Sequence, residues 1–549
     1  MSELNYINSK KNIILYLGLI LTLGLSLRFY YLPYDVPIAT DGFYSFVYAA
    51  KTVFEGNLPV GYGTTNTGWA NFLALFFSLS DTSDPFYLMQ IQRSLSVILS
   101  SLTIIPAFFI FRKFVNIRWA LFGCLLLIIE PRLLMSSLEG INYQLFFLLF
   151  VLAIALFLTK TNLTLFLSFG CIACATLVRY EGLLLLIPLS TMYFLKFKDK
   201  KSVVKFLGMI FIVIIILAPI SVLRIQATEN LCYETSFGVR CGSDGFTHNI
   251  LVGQRFLSHT LNAALGQEVS ETAIYLLNEN NEKTDNYAVL FVNKIIVSFS
   301  ALLKFIGLAL IPYFAFFVLY NIILRIKNKK SIKLDWDKKM IVFTASIMFL
   351  PALYAYMRGI EEIRYVLIII PLVCILSISW TNSISEKISK NLGVIIILMV
   401  LVLISSIIFI EFEKRDSIHD RESFLISQKI VELTNITSSF HQSGYVKTAV
   451  LSSSWPVLPE ASQNGKPIHV FQKVSTNDYD DLAEFIIDSR KYDLRYLVVD
   501  EDNELFAALR INPTVYPYLI KIFDSDEVGY KNHFMIYEID YKLVGDNDK

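Results

Sequence analysis

Long apolar runs alternate with short polar connections over the first 410 residues, and then the pattern changes. The runs lie at 12–32, 87–111, 118–135, 141–159, 162–178, 183–195, 206–225, 300–324, 340–357, 365–380 and 392–410. A helix crosses a bilayer with about 18–20 apolar residues, so these read as about eleven membrane spans. Trp69–Leu79 is apolar but too short to span and reads as a helix lying in the interface, with Trp69 as its anchor. Leu290–Ser300 reads the same way ahead of the next span. Lys10-Lys11 gives the first run a basic start. That run is too long for a signal-peptide core, and no small-residue cleavage site follows it.

From residue 411 the chain is polar, with turn signals at Gln442-Ser443-Gly444, Asn464-Gly465-Lys466-Pro467 and Asn512-Pro513. Short β-rich runs fall at Thr448–Leu451, Ile468–Phe471, Tyr496–Val499, Tyr518–Phe523 and Met535–Ile539, with a helical pattern at Asp480–Arg490. Strand–helix–strand order predicts a small α/β domain. No glycine-rich phosphate loop follows any of these strands, so nucleotide binding is not assigned. The expected fold class is a mainly α polytopic membrane protein with a C-terminal extracytoplasmic α/β domain, divided into 1–410 and 411–549.

Charge placement orients the spans. Arg112, Lys113 and Arg118, then Lys160, then Lys196 to Lys205, then Arg325 to Lys339, then Lys387 and Lys390 occupy alternate connections, in register with Lys10-Lys11. By the positive-inside rule these connections are cytoplasmic, which puts the N-terminus inside and the C-terminal domain outside. The outer connections are then 33–86, 136–140, 179–182, 226–299 and 358–364. The longest of them, 226–299, has the size of a lid over a reaction site.

Composition agrees with a membrane protein: 549 residues, 54% hydrophobic. The net charge of +1 offers no reason to expect nucleic acid as a partner. Cys124, Cys171, Cys174 and Cys374 lie within apolar runs and read as small buried hydrophobes. Cys171 and Cys174 form a CxxC without the second pair that a metal or redox site needs. Cys232 and Cys241 lie in an outer polar loop, where a disulfide closing a short ring and two free thiols are both open. The histidines His248, His259, His419, His441, His469 and His533 show no metal-ligand spacing.

Four polar clusters fall on the outer face. They are Asp35 with Asp41; Glu139 in SSLEGINYQ, preceded by Glu130 and Arg132; Arg179-Tyr180-Glu181-Gly182; and Arg358-Gly359-Ile360-Glu361-Glu362-Ile363-Arg364-Tyr365. Ionisable groups at membrane depth are costly and are therefore candidates for function. Guanidinium groups grip phosphate and keep their charge. Carboxylates take a proton from a hydroxyl or hold a divalent metal, and the residues leave both uses open, so no cofactor is assigned. Acid and arginine at headgroup level suit attack on a lipid-linked phosphate ester. Each residue also has a plainer reading. Asp41 can cap the helix that starts beside it, Asp35 can be a turn residue, and Glu139 and Glu181 can be solvated loop ends. Arg358 and Arg364 can neutralise Glu361 and Glu362.

The outer loop TDGFYSFVYAAKTVFEGN, together with PRLLMSSLEG, LVRYEGLLLLIPL and MRGIEEIRYVLIIIPL, resembles the GT-C glycosyltransferases, and within them the protein mannosyltransferase-like and aminoarabinose-transferase-like branch. The resemblance covers roughly residues 10–410. It implies a polytopic transferase that uses a sugar on polyprenyl or dolichyl phosphate, with a protein, lipid or glycan hydroxyl as acceptor. It implies Asp41 as catalytic base, Glu139 as an acid of the second outer loop, and Arg364 as a group meeting the carrier phosphate. Arg179 matches more weakly. Where members of the family carry a second acid beside the first, this chain has Gly42, a departure that argues against a two-carboxylate metal site on adjacent residues and leaves a divalent metal open. No WWDxG motif appears in the C-terminal region, unlike in oligosaccharyltransferases. Two other classes compete with the transferase: a transporter or lipid flippase, and a membrane scaffold. A transporter would call for polar broken helices near the midplane and repeated halves, and no repeat is found.

Overall fold

The computed structural model describes residues 10–38, 40–55, 67–80, 84–198, 200–228, 232–235, 238–241, 287–310, 335–357, 362–384, 392–413, 418, 421–422, 425–426, 429, 449–450, 481–490, 496–499, 507–512 and 515–544. In chain order the elements begin with helices α1 (Lys10–Tyr31), α2 (Thr40–Glu55), α3 (Gly68–Phe77), α4 (Pro85–Leu102), α5 (Ile104–Phe114), α6 (Ile117–Ile128), α7 (Pro131–Leu138), α8 (Tyr143–Thr159) and α9 (Asn162–Val178). A 3-10 turn (Tyr180–Leu185) leads into α10 (Leu186–Lys196) and α11 (Lys200–Thr228), and then a hairpin of β1 (Cys232–Thr235) and β2 (Gly238–Cys241). Next come α12 (Tyr287–Ala309), α13 (Trp336–Met348), α14 (Leu350–Met357), α15 (Arg364–Leu367), α16 (Ile370–Ile384) and α17 (Leu392–Glu413). The C-terminal region holds β3 (Ala449–Val450), α18 (Leu482–Ser489), β4 (Tyr496–Val499), α19 (Ala507–Ile511), β5 (Leu519–Asp524), a second 3-10 turn (Ser525–Val528) and β6 (Met535–Ile539).

The chain forms two compact units. Unit 1 is Met1–Leu32, Pro59–Trp69 and Arg93–Glu413; unit 2 is Pro33–Leu58, Ala70–Gln92 and Lys414–Lys549.

Among the described residues five helices are long and apolar enough to cross a membrane, and a sixth span results if the pair α6 and α7, bent by 47°, counts as one. The protein is a multi-pass membrane protein. Lys11–Tyr31 and Lys200–Val222 each bury only 11% of their most apolar window inside the protein, so their apolar side chains face outward to lipid. Phe86–Phe114 buries 61% and forms the interior. Of the other predicted spans, α9 has the predicted bounds 162–178, α8 starts two residues later than expected at Tyr143, and the predicted span 183–195 starts as a 3-10 turn. Leu290–Ser300 is part of the continuous helix α12, and not a separate interfacial helix.

Polar anchors hold unit 1 together where helices end. Arg28, 1% exposed, donates from Nη1 to the Ile128 carbonyl at 2.7 Å and the Gly24 carbonyl at 3.2 Å. That satisfies a carbonyl freed at the end of α6, where Pro131 forbids a continuous helix. Glu130, wholly buried, caps α7 by accepting from the Leu133 amide at 2.6 Å. Lys160 ends α8 in the left-handed region at φ 65°, and Thr161 opens α9 with a capping box to Thr164. Trp69 is not an interfacial anchor. It is fully buried, and its Nε1 donates to the Gly140 carbonyl at 3.1 Å, because a buried indole N–H needs an acceptor and that turn supplies one.

In unit 2 four strands form a mixed sheet in the order β3-β4-β6-β5. β3 runs parallel to β4, while β6 is antiparallel to both β4 and β5. All four residues of β4 are buried, as expected of a strand covered on both faces. Leu497 and Val499 pack with Leu482, Phe485 and Ile486 of α18; Tyr496 and Val498 pack with Ile426, Phe534 and Ile536. The predicted strand Ile468–Phe471 lies outside the described residues.

Candidate functional site

The site in unit 1 grows from the end of α9. Arg179 is extended (φ −146°, ψ 133°) and its amide closes the helix onto the Ala175 carbonyl at 2.8 Å. The next residues wind into the 3-10 turn, pressed so closely on α9 that a Cβ on Gly182 would lie 2.6 Å from the Thr176 nitrogen. Only glycine permits that approach. The tight turn brings Arg179 Nη2 to Glu181 Oε1 at 2.5 Å, while Nη1 donates to Asn142 Oδ1 at 3.0 Å. The guanidinium lies over the Tyr143 ring, 4.0 Å from its centroid.

Burial by itself lowers the Arg179 pKa, but the facing Glu181 and Tyr143 more than offset this and hold it above its ordinary range. The Glu181 charge, followed by burial, pushes the Tyr180 phenol up to about 12. Three enclosed atoms keep no hydrogen-bond partner among the described residues: Arg179 Nε, Glu181 Oε2 and Tyr143 Oη.

Arg364 opens α15 and pairs with Glu362 through Nε–Oε2 and through Nη2–Oε1 at 3.2 Å. Tyr356 Oη fixes the same segment by donating to the Glu362 carbonyl at 3.1 Å. Arg364 and Tyr365 lie within electrostatic reach of Tyr143, together with Arg179 and Glu181. Three of the predicted substrate-binding residues, Arg179, Glu181 and Arg364, thus act electrostatically on one tyrosine. Two residues beyond Arg364, Val366 lines an apolar cavity of about 190 Å³, walled also by Ile306, Leu310, Phe349, Ile370 and Val373.

Glu139 is exposed and ends α7. The carbonyls on either side of it are held: Leu138 accepts from Arg93 Nε at 3.0 Å, and Gly140 accepts from Trp69. In unit 2, Asp41 stands in the first turn of α2, and its side chain lies outside the described residues. The neighbouring Gly42 carbonyl accepts from Gln92 Nε2 at 2.9 Å. Asp35 is exposed and paired to Arg421 Nη1 at 3.2 Å. Arg358 lies outside the described residues.

Asn142, Tyr143, Arg28 and Arg93 are not among the residues expected from the sequence. The last two carried a usable signal, since an ionisable residue inside an apolar run needs a buried partner. Asn142 and Tyr143 carried none.

Among the described residues one group has its ligand atoms close enough for a metal ion: Asp524, Asp526 and His533 in unit 2, all within 4.8 Å of one another. His533 was expected to have no metal-ligand spacing; the turn after β5 brings it beside both carboxylates. Asp524 is already engaged, accepting from Lys521 at 2.9 Å, the Asp526 amide at 3.1 Å and His533 at 3.0 Å. Its pKa is lowered because these contacts outweigh its desolvation. In unit 1, Glu181 is committed to Arg179, so the described residues there form no metal cage.

No family model matches the chain, and no curated protein matches it. Solved structures do. The Archaeoglobus fulgidus oligosaccharyltransferase in complex with zinc and sulfate superposes with a TM-score of 0.53 at 11% identity, over 92% of this chain and 71% of that one. The same organism's AglB, solved with an inhibitory peptide and a dolichol-phosphate, gives 0.51 at 12% identity, over 90% and 70%. ArnT from Cupriavidus metallidurans, bound to undecaprenyl phosphate, gives 0.51 at 11% identity, over 97% and 99%. The fold is thus that of the GT-C glycosyltransferases, carried by a polytopic membrane chain with a C-terminal domain.

Proposed function

We propose that the protein is an integral-membrane glycosyltransferase that moves a sugar from a polyprenyl- or dolichyl-phosphate donor to a hydroxyl acceptor on the extracytoplasmic side. Residues 1–410 form the transferase domain. Residues 411–549 form an extracytoplasmic domain, and the N-terminus is cytoplasmic. The observation that carries this reading is that Arg179, Glu181 and Arg364 all act electrostatically on Tyr143, with an apolar cavity beginning two residues beyond Arg364. A donor of this class needs both parts: cations for a phosphate and an apolar slot for an isoprenoid tail. The likeness to structures that hold dolichol-phosphate and undecaprenyl phosphate supports the same chemistry.

In the proposed reaction the acceptor oxygen attacks the anomeric carbon as the bond from that carbon to the phosphate oxygen breaks. The acceptor proton passes to the Asp41 carboxylate, the electron pair leaves on the phosphate, and the configuration inverts. Arg364 and Arg358 take the charge that grows on the departing phosphate. Glu181 Oε2, Arg179 Nε and Tyr143 Oη offer the sugar an acceptor, a donor and a hydroxyl. Glu139 and Asp35 orient the acceptor. The acceptor class is a protein, lipid or glycan hydroxyl. No metal is assigned a step.

The test is transfer in membranes supplied with a panel of radiolabelled polyprenyl-phosphate sugars, comparing wild type with Asp41→Asn at equal expression. Transfer that collapses in the variant establishes both the reaction and its base. Equal transfer in both removes Asp41 from that role. Absence of transfer from every donor, in membranes of the native host that contain the acceptor, overturns the reading.

A further inference from the structure

Among the described residues, one end of unit 1 gathers positive charge that its ion pairs do not balance. Lys113 stands at the end of α5, Lys160 caps α8, Lys196 closes α10 and Trp336 opens α13. The left-handed backbone of Lys160 belongs to the turn joining α8 to α9. From there its ammonium lies 4.6 Å from the centroid of the Trp336 ring, and that of Lys196 lies 4.7 Å from the same centroid. Phe157 stacks on Trp336 at 6.1 Å, with the planes inclined by 17°.

The two ammonium groups touch each other, and the charge of Lys113 also reaches Lys196. Asp337 lies 2.6 Å from Lys160 and its charge reaches Lys196, while Lys113 Nζ donates to the Leu158 carbonyl. Asp335 is occupied in capping α13 at the Lys338 amide, 2.9 Å away. Trp336 Nε1 is enclosed and has no acceptor among the described residues. Like charges in contact repel, and an aromatic face repays only a small part of that cost. An anion between the ammoniums and the indole N–H would resolve both deficits.

We propose that Lys160, Lys196, Lys113 and Trp336 form a binding site for a phosphate anion, filled by the headgroup of an anionic phospholipid in the leaflet that faces the lysine-rich connections. Lysine binds phosphate as a point charge and tryptophan favours headgroup depth. Basic pockets between helices on this side of a membrane select anionic lipids. The helix α9, 17 residues long, separates this cluster from Arg179 by about 25 Å. The inference therefore does not depend on the transferase reading.

The experiment uses the purified full-length chain in discs of phosphatidylcholine, with and without phosphatidylglycerol. Lipid retained on the protein is read by native mass spectrometry. Wild type retains phosphatidylglycerol over phosphatidylcholine. Lys160→Asn with Lys196→Gln retains it roughly tenfold or more weakly, at unchanged circular dichroism; asparagine tolerates the left-handed backbone of position 160. Lys201→Gln, on the same side but outside the cluster, binds as wild type does. Should the double variant not fold, Lys196→Gln alone carries the comparison. Inorganic phosphate is the second probe. Failure to displace the lipid supports a headgroup site, whereas displacement at low concentration shows a phosphate site with a soluble occupant. Equal retention by wild type and variants, or no preference by wild type for phosphatidylglycerol and no binding of phosphate, overturns the proposal.

Discussion

Arg179 and Glu181 are two residues apart and joined at 2.5 Å, yet each keeps one enclosed atom, Nε and Oε2, without a partner among the described residues. Glu181→Gln leaves the enclosed guanidinium without its counter-charge. Breaking a buried pair from one side costs about 3–5 kcal/mol. The variant is expected to lower the unfolding temperature in detergent markedly. Arg179→Ala should do the same, and the double replacement by neutral groups should cost less than the sum of the single changes. Strictly additive losses would show that the two groups do not act as a pair.

Gly182 tests the geometry instead of the charge. A methyl group there meets the Thr176 backbone at 2.6 Å, so Gly182→Ala must push the turn off α9. Overpacking of this kind costs about 1–3 kcal/mol. Because the turn positions both Arg179 and Glu181, transfer activity should fall further than stability does. Parallel activity and melting measurements check this.

Arg364 is expected to act on the donor and not the acceptor. Arg364→Ala should raise the KM for the lipid-phosphate donor and lower kcat, with acceptor KM little changed. Lys should restore only part of the activity, because one ammonium cannot reproduce a bidentate fork. Steady-state kinetics with donor and acceptor varied separately decides the matter. An effect confined to acceptor KM would remove Arg364 from the phosphate.

The hairpin register carries another prediction. Cys232 stands directly opposite Cys241 across β1 and β2. Opposed residues of an antiparallel pair have Cα atoms about 4.5–5.5 Å apart, within the range a disulfide spans. If this segment is extracytoplasmic as proposed, the two should be oxidised. Mass spectrometry of alkylated protein, with and without reductant, should show a two-thiol difference that Cys232→Ser abolishes.

Anion binding at the lysine cluster should depend on pH. Desolvation, and then Lys160, hold the Lys196 ammonium down to about 8. Asp337 and Lys113 also face it, and Asp335 acts on Lys160. Below that value Lys196 is charged and phosphate binds best, and binding should weaken as pH rises through about 8 and the proton leaves. The sign for stability is the reverse. A lysine whose folded pKa lies below its unfolded value penalises the folded state below the folded pKa, and the penalty fades as pH rises toward the ordinary lysine value. A bound anion should cancel it. Retention of phosphatidylglycerol measured across pH 7 to 9.5, with Lys196→Gln as the flat control, checks the direction.

The resemblance motifs locate Asp41, Glu139, Arg179 and Arg364, and the fold has the architecture they imply. The RYEG motif was legible as a polar break between apolar runs, but the reason for its glycine was not, since Thr176 presses on it from another element. Arg28 shows the opposite failure. It stood in plain view inside the first apolar run, and its partner, the Ile128 carbonyl, is 100 residues away.

By itself the sequence determined what local chemistry determines. Unbroken apolar length makes a span, and β-branched runs between turns make the strands of unit 2. These follow from backbone hydrogen bonding in lipid and from hydrophobic periodicity, both readable over a few residues. Only the tertiary structure decided which distant groups share a space: Arg179 with Asn142 and Tyr143, Trp69 with Gly140, and Lys160 with Lys196 at the ring of Trp336. Those meetings are fixed by how helices pack, and packing depends on the shape of every neighbour at once.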